Sequence, residues 1–432
     1  MYLLEILILV LSFVILLALG VPIAFSIGIS AMLTMLVSIP SIPAFTTVAQ
    51  RMATGLDSFA LLAIPFFILA GQLMNRGGIA AKLIDFAKVL VGRLPGGLAY
   101  VNIIASMLFG AISGSAVAAA SAIGGIMNPR MVKEGYSRPF SAAVNITSAT
   151  TGMIIPPSNI LIVYSLASGG VTIAALFVAG YVPGIIVGLS LMAVAGVFAY
   201  RKGYSVGEKV GIKDAIFKFL DAIPSLILLI VVIGGIIAGI FTATEASAVA
   251  VLYTLILSMV FYRQVKFKDL PGILLQTINT TSIVMILIGT SVGMSWVMSY
   301  ENLPQSVSNA LLSVSDNPII VLLLINLILL FVGIFMDMTP AVLIFTPIFL
   351  PVVTELGMDP THFGIVMVLN LCIGLCTPPV GSVLFVGCSV AKISIDKVIR
   401  PLLPLFVAMV IALILVTYIP ELSLWLPGYF GL

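Results

Sequence analysis

Apolar residues run in long stretches along this chain, and most charged residues lie in the short segments between them. Stretches such as 3–19 and 222–240 have the length of a bilayer-spanning helix, roughly 17–25 residues. The ~10-residue alternating segments of a membrane barrel do not occur in the sequence. The pattern therefore predicts an all-α polytopic membrane protein. Its predicted membrane segments are 2–20, 22–38, 58–76, 97–131, 140–166, 172–199, 222–241, 244–262, 272–299, 318–352, 362–390 and 403–420.

Two of these segments are too long for one span. Segment 97–131 is interrupted by Ser113-Gly114-Ser115, and segment 318–352 by Met336-Asp337-Met338-Thr339-Pro340. We predict that both are re-entrant helical hairpins and that the other ten segments cross the membrane. Amphipathic stretches at 79–91 and 303–314 precede the hairpins. They are interpreted either as arms lying along the membrane surface or as ordinary loop helices.

Composition supports this class. The chain is 61% hydrophobic and 8% charged, whereas soluble domains carry about 25% charged residues, so a soluble enzyme is excluded. With two re-entrant hairpins, all nineteen Lys and Arg residues except Arg51 fall on one face. The positive-inside rule makes that face cytoplasmic and puts both termini outside. Two full crossings per hairpin would leave the Lys and Arg residues on the same face. We therefore predict re-entry from the segment length and the polar tips.

The sequence lacks the residues that several other kinds of functional site require. Cys372, Cys376 and Cys388 form no CxxC pair, and a lone His362 cannot build a multi-histidine metal site. No basic patch supports nucleic-acid binding. No basic residue precedes the first apolar stretch, which we interpret as a retained helix rather than a signal peptide. His362 and Arg51 are predicted to be surface or loop residues, and Glu245 to be a helix cap or interfacial residue.

The chain also matches itself at an offset of 222 residues. This register pairs Pro156-Pro157 with Pro378-Pro379, Gly152 with Gly374, and Ser115 with Asp337. Each half holds five crossings and one hairpin, so the halves should insert with opposite orientation, as inverted repeats do. The predicted division is a first repeat at 1–200 (hairpin about 97–131), a cytoplasmic connector at 201–221 and a second repeat at 222–432 (hairpin about 318–352).

The sequence predicts four interrupted helices at equivalent positions of the two halves. Within hydrocarbon, broken helices persist only where they line a cavity or a site. Consecutive prolines free carbonyls around Gly152–Met153 and Gly374–Leu375, and hard cations prefer oxygen ligands. The predicted breaks are Ser113-Gly114-Ser115, Ile154–Asn159, Asp337-Met338-Thr339 and Cys376–Ser382.

Asp337 is the strongest single candidate for an ion-binding residue. A carboxylate at the bilayer centre costs roughly 2.5–3.5 kcal/mol, which a bound Na⁺ or a proton would offset. The alternative is that Asp337 only caps the second hairpin arm. Ser113 and Ser115 could equally permit close helix packing, and Asn159 could form a simple interhelical hydrogen bond.

These motifs resemble a known family. Phe109–Ala118 (FGAISGSAVA), Ile155–Asn159 (IPPSN), Gly239–Ala246 (GIFTATEA) and Met336–Pro340 (MDMTP) are similar to the large membrane subunit of TRAP (tripartite ATP-independent periplasmic) transporters. The resemblance implies an inverted-repeat elevator-type transporter that takes up an organic acid with Na⁺ across a bacterial inner membrane. It implies two partners, a small membrane subunit on a separate polypeptide and a periplasmic substrate-binding protein. The implied substrates are sialic acid, which overall similarity favours, C4-dicarboxylates and other carboxylates.

The same resemblance implies where the ligands bind. The substrate-binding candidates are Ser113, Gly114, Ser115, Ser158, Asn159, Thr339 and Ser382. The Na⁺ candidates are Ser113, Ser115, Gly152, Pro156, Asp337, Thr339, Gly374, Thr377 and Pro378.

Three alternatives stay open at this point. A stand-alone Na⁺/dicarboxylate symporter of the same architecture would need no binding protein. An intramembrane serine hydrolase would pair Ser113 or Ser115 with His362, although the predicted topology separates them. A channel is disfavoured because no continuous polar stripe crosses the membrane.

Overall fold

The computed structural model describes residues 2–204, 211–315 and 317–432, and within these ranges it contains helices and no strand. Lys209, part of the predicted connector, and Asp316 lie outside the described residues. The helices of the first half are α1 (Tyr2–Ala18), α2 (Ile23–Ser38), α3 (Ser41–Leu56), α4 (Ala63–Arg76), α5 (Ile79–Val91), α6 (Gly97–Ser113), α7 (Ala116–Lys133), α8 (Arg138–Thr151), α9 (Asn159–Ser168) and α10 (Ile173–Lys202).

The second half continues with ten helices of the same order. They are α11 (Ile212–Ile237), α12 (Ala243–Ile256), α13 (Leu270–Tyr300), α14 (Leu303–Val314), α15 (Pro318–Phe335), α16 (Met338–Glu355), α17 (Pro360–Gly374), α18 (Ser382–Ala391), α19 (Ile395–Tyr418) and α20 (Glu421–Phe430). A short 3₁₀ turn precedes α4, and a π-helical turn ends α12.

Eight helical segments of the described residues are long and apolar enough to cross a membrane. They include both arms of the second predicted hairpin, α15 and α16. Six shorter apolar helices accompany them, among them α6 of the first predicted hairpin, α9 after the first Pro-Pro pair, and α17 and α18 on either side of the second. The chain is therefore a multi-pass helical membrane protein, while the division into ten crossings and two re-entrant hairpins stays a prediction.

Helix boundaries follow the 222-residue offset closely. The offset carries α7 (116–133) onto α16 (338–355) residue for residue, and α5, α6, α8 and α9 onto their counterparts within two residues at each end. The main departures are α3 and α4, which correspond to the single long helix α13, and α10, which corresponds to α19 and α20. The inverse orientation of the halves remains a prediction.

The sequence missed two helices. The stretch between segments 22–38 and 58–76 forms α3, on which Arg51 is exposed as predicted but lies in a helix rather than a loop. Only Ala44 and Val48 of α3 are buried, so its apolar pattern was too sparse to indicate a membrane segment. Helix α20 follows the last predicted segment and is rich in exposed side chains.

The two halves interlock through their hairpins and broken helices. Helix α7 of the first hairpin packs against α18 of the second half, and α16 of the second hairpin packs against α9 of the first half. Helices α8 and α17 lie at the centre, buried from Phe140 to Thr151 and from His362 to Gly374. A helix that is buried on all faces is the core of a bundle, and here that core carries both Pro-Pro breaks.

The predicted arms are both helices, and α5 is tied to the second half. Lys82 pairs with Asp221 and Lys218 with Asp85 (3.1 Å), so two oppositely directed ion pairs join α5 to α11. All four side chains are about one-third exposed. Ion pairs this exposed contribute up to ~1 kcal/mol each, so the pairs fix the relative position of α5 and α11 more than they stabilise the fold.

Glu245 has the capping role that the sequence predicts. Its backbone N–H donates to Thr242 Oγ1 (3.2 Å), and its carboxylate accepts from the Thr242 backbone N–H (2.8 Å). This reciprocal arrangement satisfies two donors at the start of α12.

We therefore expect Thr242→Ala to lower the free energy of unfolding by about 1 kcal/mol. Thermal melting of the purified protein in detergent measures the loss. Thr46→Ala is the control, because Thr46 is an exposed helical residue whose hydroxyl bonds only the preceding turn of α3. Equal melting temperatures for the two variants would contradict the capping role.

Candidate functional site

The first hairpin turns at Gly114 and Ser115. Gly114 has a φ of +61°, in the left-handed region that glycine adopts without strain. Ser115 then caps α7, its Oγ accepting a hydrogen bond from the Ala118 backbone N–H (3.2 Å). The buried Ser113 donates to the Ser115 carbonyl at 3.5 Å. Both predicted serines are thus at the tip, and their hydroxyls already bond within it.

The tip of the first hairpin lies against the start of α9. A Cβ built on Gly114 would be 2.8 Å from Asn159 Nδ2, so a larger residue here would push this amide aside. The Oδ1 atom of Asn159 is buried and has no hydrogen-bond partner among the described residues. Because a buried acceptor without a partner is unfavourable, Asn159 Oδ1 is the best-placed side-chain oxygen for a ligand at this tip.

The first Pro-Pro segment is buried beside the same hairpin. Pro156, Pro157 and Ser158 are all buried, and the peptide bond between the prolines is cis. A Cβ on Gly152 would lie 2.5 Å from the Cα of Gly110. The end of α8 and helix α6 therefore approach each other to backbone contact.

The second hairpin turns at Met336 and Asp337. The predicted break is placed slightly too far along the chain, since Met338 and Thr339 already belong to α16. Asp337 precedes α16 in the N-cap position, but its side chain forms no capping hydrogen bond, and the residue is exposed. Its carboxylate does interact with the backbone N–H of the next residue, Met338, so the standard N-cap bond is absent but the capping interpretation stays open.

The second Pro-Pro segment repeats the close approach of the first. A Cβ on Gly374 would lie 2.6 Å from the Cα and carbonyl carbon of Gly333, so α17 touches α15 through glycine. Thr377 Oγ1 donates to the Ile373 carbonyl (2.7 Å). Pro378 is partly buried, whereas Pro379 and Ser382 are exposed.

The prediction that the Pro-Pro pairs leave free carbonyls is wrong for Met153, Gly374 and Leu375. The Met153 carbonyl accepts from Ser158 Oγ (2.5 Å), the Gly374 carbonyl from the Thr377 backbone N–H (2.9 Å), and the Leu375 carbonyl from the Leu384 N–H (3.3 Å). Local turns thus supply the donors that proline removes. A carbonyl has two lone pairs, so a cation would share these oxygens with their present donors.

Sulfur contacts join the two Pro-Pro segments at the centre of the molecule. Cys372 Sγ donates to the Thr150 carbonyl (3.3 Å), and Cys376 Sγ lies 3.6 Å from Thr150 Oγ1. Thr150 and Cys372 are separated by the repeat offset of 222 residues. With the Gly110–Gly152, Gly114–Asn159 and Gly333–Gly374 contacts, they bring the helices that flank the four breaks into one cluster, although none of these contacts involves Asp337, Thr339 or Ser382.

Helix starts within this cluster differ in their capping. The first turn of α7 is capped by Ser115, whereas α9, α16 and α18 begin without a side-chain cap. Uncapped first-turn N–H groups are suited to an anion, because they carry the positive end of the helix dipole. Three starts of this kind lie next to the predicted substrate residues Asn159, Thr339 and Ser382.

The structure does not gather every candidate. Among the described residues, no hydrogen bond joins Asp337, Thr339 and Ser382 to one another or to the first hairpin tip. The first-half set is mostly buried, whereas Asp337 and Ser382 are exposed. The described residues contain no group of three or more His, Cys, Asp and Glu side chains that could hold a metal ion. A cation here would depend on carbonyls, hydroxyls and one carboxylate.

The prediction that His362 is a surface or loop residue is wrong. His362 is 1% exposed, and its Nε2 lies 3.2 Å from the Thr417 carbonyl of α19. Thr417 Oγ1 in turn accepts from Asn326 Nδ2 (3.2 Å), which extends the buried polar contacts to α15. No contact joins His362 to Ser113 or Ser115, so the described structure lacks the dyad of a serine hydrolase.

Sequence reasoning also missed residues that shape the cluster. Gly110 and Gly333 stand inside helices, where they permit backbone contact with Gly152 and Gly374. Asn145 is fully buried and donates to the Ala120 carbonyl of the first hairpin (2.9 Å). Glycines within otherwise apolar helices were the available signal, since small residues mark close packing in membranes.

Comparisons with known proteins agree with this architecture. Residues 10–422 match the family model described as tripartite ATP-independent periplasmic transporter, DctM component. The chain is 56% identical to the uncharacterized protein YgiK of Salmonella typhimurium over 100% of this chain and 99% of that protein. It is 39% identical to the C4-dicarboxylate TRAP transporter large permease protein DctM of Pseudomonas aeruginosa (94% and 95% covered).

It is also 38% identical to the sialic acid TRAP transporter large permease protein SiaM of Vibrio cholerae, over 95% of this chain and 96% of that protein. Among solved structures, the YdaH transporter of Alcanivorax borkumensis is similar with a TM-score of 0.64 at 12% identity. That match covers 90% of this chain and 88% of the other. At this identity it supports the fold alone.

Proposed function

Since the chain belongs to the DctM family, the large permease subunits of tripartite ATP-independent periplasmic transporters, we propose that it takes up an organic acid with Na⁺ by an elevator mechanism. Members of the family are inner-membrane secondary transporters of organic acids. They work with a periplasmic binding protein and usually with a small membrane subunit. For this chain, Na⁺ coupling and the elevator movement are proposals.

The observation that carries this proposal is the cluster formed by the helices that flank the four breaks. Paired breaks in two halves are the structural pointer to the binding site of a secondary transporter. The cluster offers an unpaired buried oxygen at Asn159, an exposed carboxylate at Asp337 and three uncapped helix starts. The oxygens suit Na⁺, and the helix starts suit the carboxylate of the substrate.

Coupling follows from differential binding. Na⁺ at the hairpin tips would neutralise Asp337 and order the neighbouring backbone, which raises the affinity for an anion. By linkage, the bound anion raises the affinity for Na⁺ by the same factor. The loaded hairpins and broken helices would then move as one body between the two faces, while α1, α2, α12 and α13 remain in place.

The substrate class is an organic acid of the sialic acid or C4-dicarboxylate type. The relatives named for these two substrates match this chain equally well, at 38% and 39% identity. Overall similarity therefore does not choose between them, and we propose that the binding protein makes most of the selection.

Reconstitution tests this function directly. Proteoliposomes containing the chain and its small membrane subunit are supplied with the binding protein and labelled sialic acid or a C4-dicarboxylate. Each protein is then omitted in turn, and Na⁺ is replaced by K⁺. We expect each omission to reduce uptake to background. Uptake that persists in K⁺ would contradict Na⁺ coupling.

The nearest alternative is a stand-alone Na⁺/dicarboxylate symporter. It is favoured if the purified chain alone transports free substrate in the same liposomes.

A further inference from the structure

One face of α13 carries polar residues where lipid would be expected. At 100° per residue, Leu275, Asn279, Ser282 and Ile286 point within about 60° of each other. All four are exposed, Leu275 by 60% and Ile286 by 45%. The opposite face is buried against the rest of the molecule through Ile273, Thr277 and Ile288.

The polar pair of this stripe falls within the hydrocarbon layer when α13 is centred on the bilayer. Helix α13 has 31 residues, which at 1.5 Å each is about 46 Å, longer than the ~30 Å hydrocarbon core. Asn279 lies about 9 Å from the middle of the helix and Ser282 about half as far. Both residues therefore remain within the hydrocarbon layer when α13 is centred on the bilayer.

An exposed asparagine at this depth is costly unless another molecule covers it. Asn279 forms no hydrogen bond with any described residue, and a primary amide has two donors and an acceptor to satisfy. Lipid tails offer no partner, and an unpaired polar group in hydrocarbon costs several kcal/mol. Thr280 differs, because its hydroxyl already donates to the Gln276 carbonyl (3.0 Å).

The exposed face of α1 provides a comparison within the same chain. Leu4, Leu7, Leu11 and Val14 are each about half exposed and follow a similar spacing. That face is wholly apolar, as expected for contact with lipid. Spacing alone thus does not distinguish a docking surface from a lipid-facing one. The polar pair Asn279 and Ser282 is what distinguishes the face of α13 from that of α1.

We infer that Leu275, Asn279, Ser282 and Ile286 form a docking stripe for a transmembrane helix of the small membrane subunit. The intervals of four, three and four residues match the seam of two helices packed at a shallow angle. Asn279 would hydrogen-bond across the seam, with Leu275 and Ile286 packing on either side of it. Ser282 is small enough to let the helices approach closely.

The occupant follows from the chemistry and from the proposed function, on which this inference rests. The cover must supply hydrogen-bonding groups at the depth of Asn279, inside the hydrocarbon boundary, and a protein helix with a polar side chain does so. The family usually includes a small membrane subunit, which supplies such helices. A second copy of this chain is the competing occupant, and the experiment separates the two.

Co-purification tests the stripe without measuring transport. The tagged chain is co-expressed with its small membrane subunit, extracted in mild detergent, and the retained subunit is quantified. We expect Asn279→Leu to lower retention about tenfold, as loss of one interhelical hydrogen bond of 1–2 kcal/mol would. Thr280→Val is the matched control and should retain the subunit fully. Unchanged retention by Asn279→Leu overturns the inference.

Disulfide cross-linking in native membranes identifies the neighbour. Ser282→Cys is combined with single cysteines along the helices of the small subunit, while Val14→Cys on α1 serves as the lipid-facing control. The native cysteines are buried, so they leave little background. A cross-link from position 282 to the small subunit supports the inference, and a cross-linked pair of this chain or no product overturns it. If position 282 cross-links to the small subunit but the complex without engineered cysteines shows no Na⁺-dependent uptake, only the proposed function is refuted.

Discussion

Gly374→Ala is expected to reduce uptake to background and to lower the melting temperature of the purified protein. The added Cβ would lie 2.6 Å from the Cα and carbonyl carbon of Gly333, which are backbone atoms that cannot rotate away. Helices α15 and α17 must then separate, and overpacking of this kind costs about 1–3 kcal/mol. Because the second hairpin and the second Pro-Pro segment meet at this contact, the separation also displaces the candidate site.

The glycine variants form a graded series. Gly152→Ala should resemble Gly374→Ala, since its Cβ would lie 2.5 Å from the Gly110 Cα. Gly333→Ala should be milder, because its Cβ would lie 3.1 Å from the Gly374 Cα. Alanine keeps the main-chain carbonyl, so any loss measures packing rather than removal of a ligand oxygen.

Gly125→Ala is the matched control for this series. It lies in α7 of the first hairpin, and a Cβ there meets no atom within 4 Å. We expect normal uptake and a gain of about 0.5–1 kcal/mol from the higher helix propensity of alanine. If Gly374→Ala transported and melted like Gly125→Ala, the close approach of the helices would have no functional importance.

Asp337→Ala is expected to abolish Na⁺-dependent uptake while the protein remains folded. Asp337 is exposed at the second hairpin tip and makes no capping hydrogen bond. Its removal should therefore cost little stability. Its charge is the one carboxylate among the residues assigned to the predicted Na⁺ site. Uptake at increasing Na⁺ concentration, with the melting temperature as a check on folding, measures the effect.

Asp337→Asn separates the two interpretations of this residue. Asparagine is as good an N-cap as aspartate but carries no charge. If Asp337 acts only as a cap, Asp337→Asn should transport normally and Asp337→Ala should be less stable. If it binds the ion, both variants should lose Na⁺ dependence with similar melting temperatures. Unchanged Na⁺ dependence in both would exclude Asp337 from the ion site.

The fold was predictable where a pattern is local. The interruptions at Gly114 and Asp337 stand out in apolar stretches, and the amphipathic period of 79–91 and 303–314 is confined to one helix each. Their boundaries in the structure are Ile79–Val91 and Leu303–Val314, as predicted. The two Pro-Pro pairs likewise mark breaks without any knowledge of neighbouring helices.

Prediction failed where the burial or hydrogen bonding of a residue depends on a neighbour that its local pattern does not reveal. The burial of His362 depends on α19, which is more than thirty residues away in sequence and supplies the Thr417 carbonyl. The free carbonyl of Met153 was predicted from the prolines alone, but the hydroxyl of Ser158 turns back to bond it. Asn279 was not singled out, because its significance lies in having no neighbour on the exposed face of α13.

The register that pairs Ser115 with Asp337 also pairs Thr150 with Cys372, and the latter two are in contact. In a symmetric dimer of identical chains, such a contact on the axis would join two identical residues, and both tips would carry the same side chain. A single polypeptide is free of that restriction. Here the contact between equivalent positions is made by a thiol that donates to a threonine carbonyl, and one tip carries a neutral hydroxyl where the other carries a carboxylate. The order of helices repeats as it would in two identical subunits, but the two tips are chemically inequivalent, so any ions at the two tips need not bind with equal affinity.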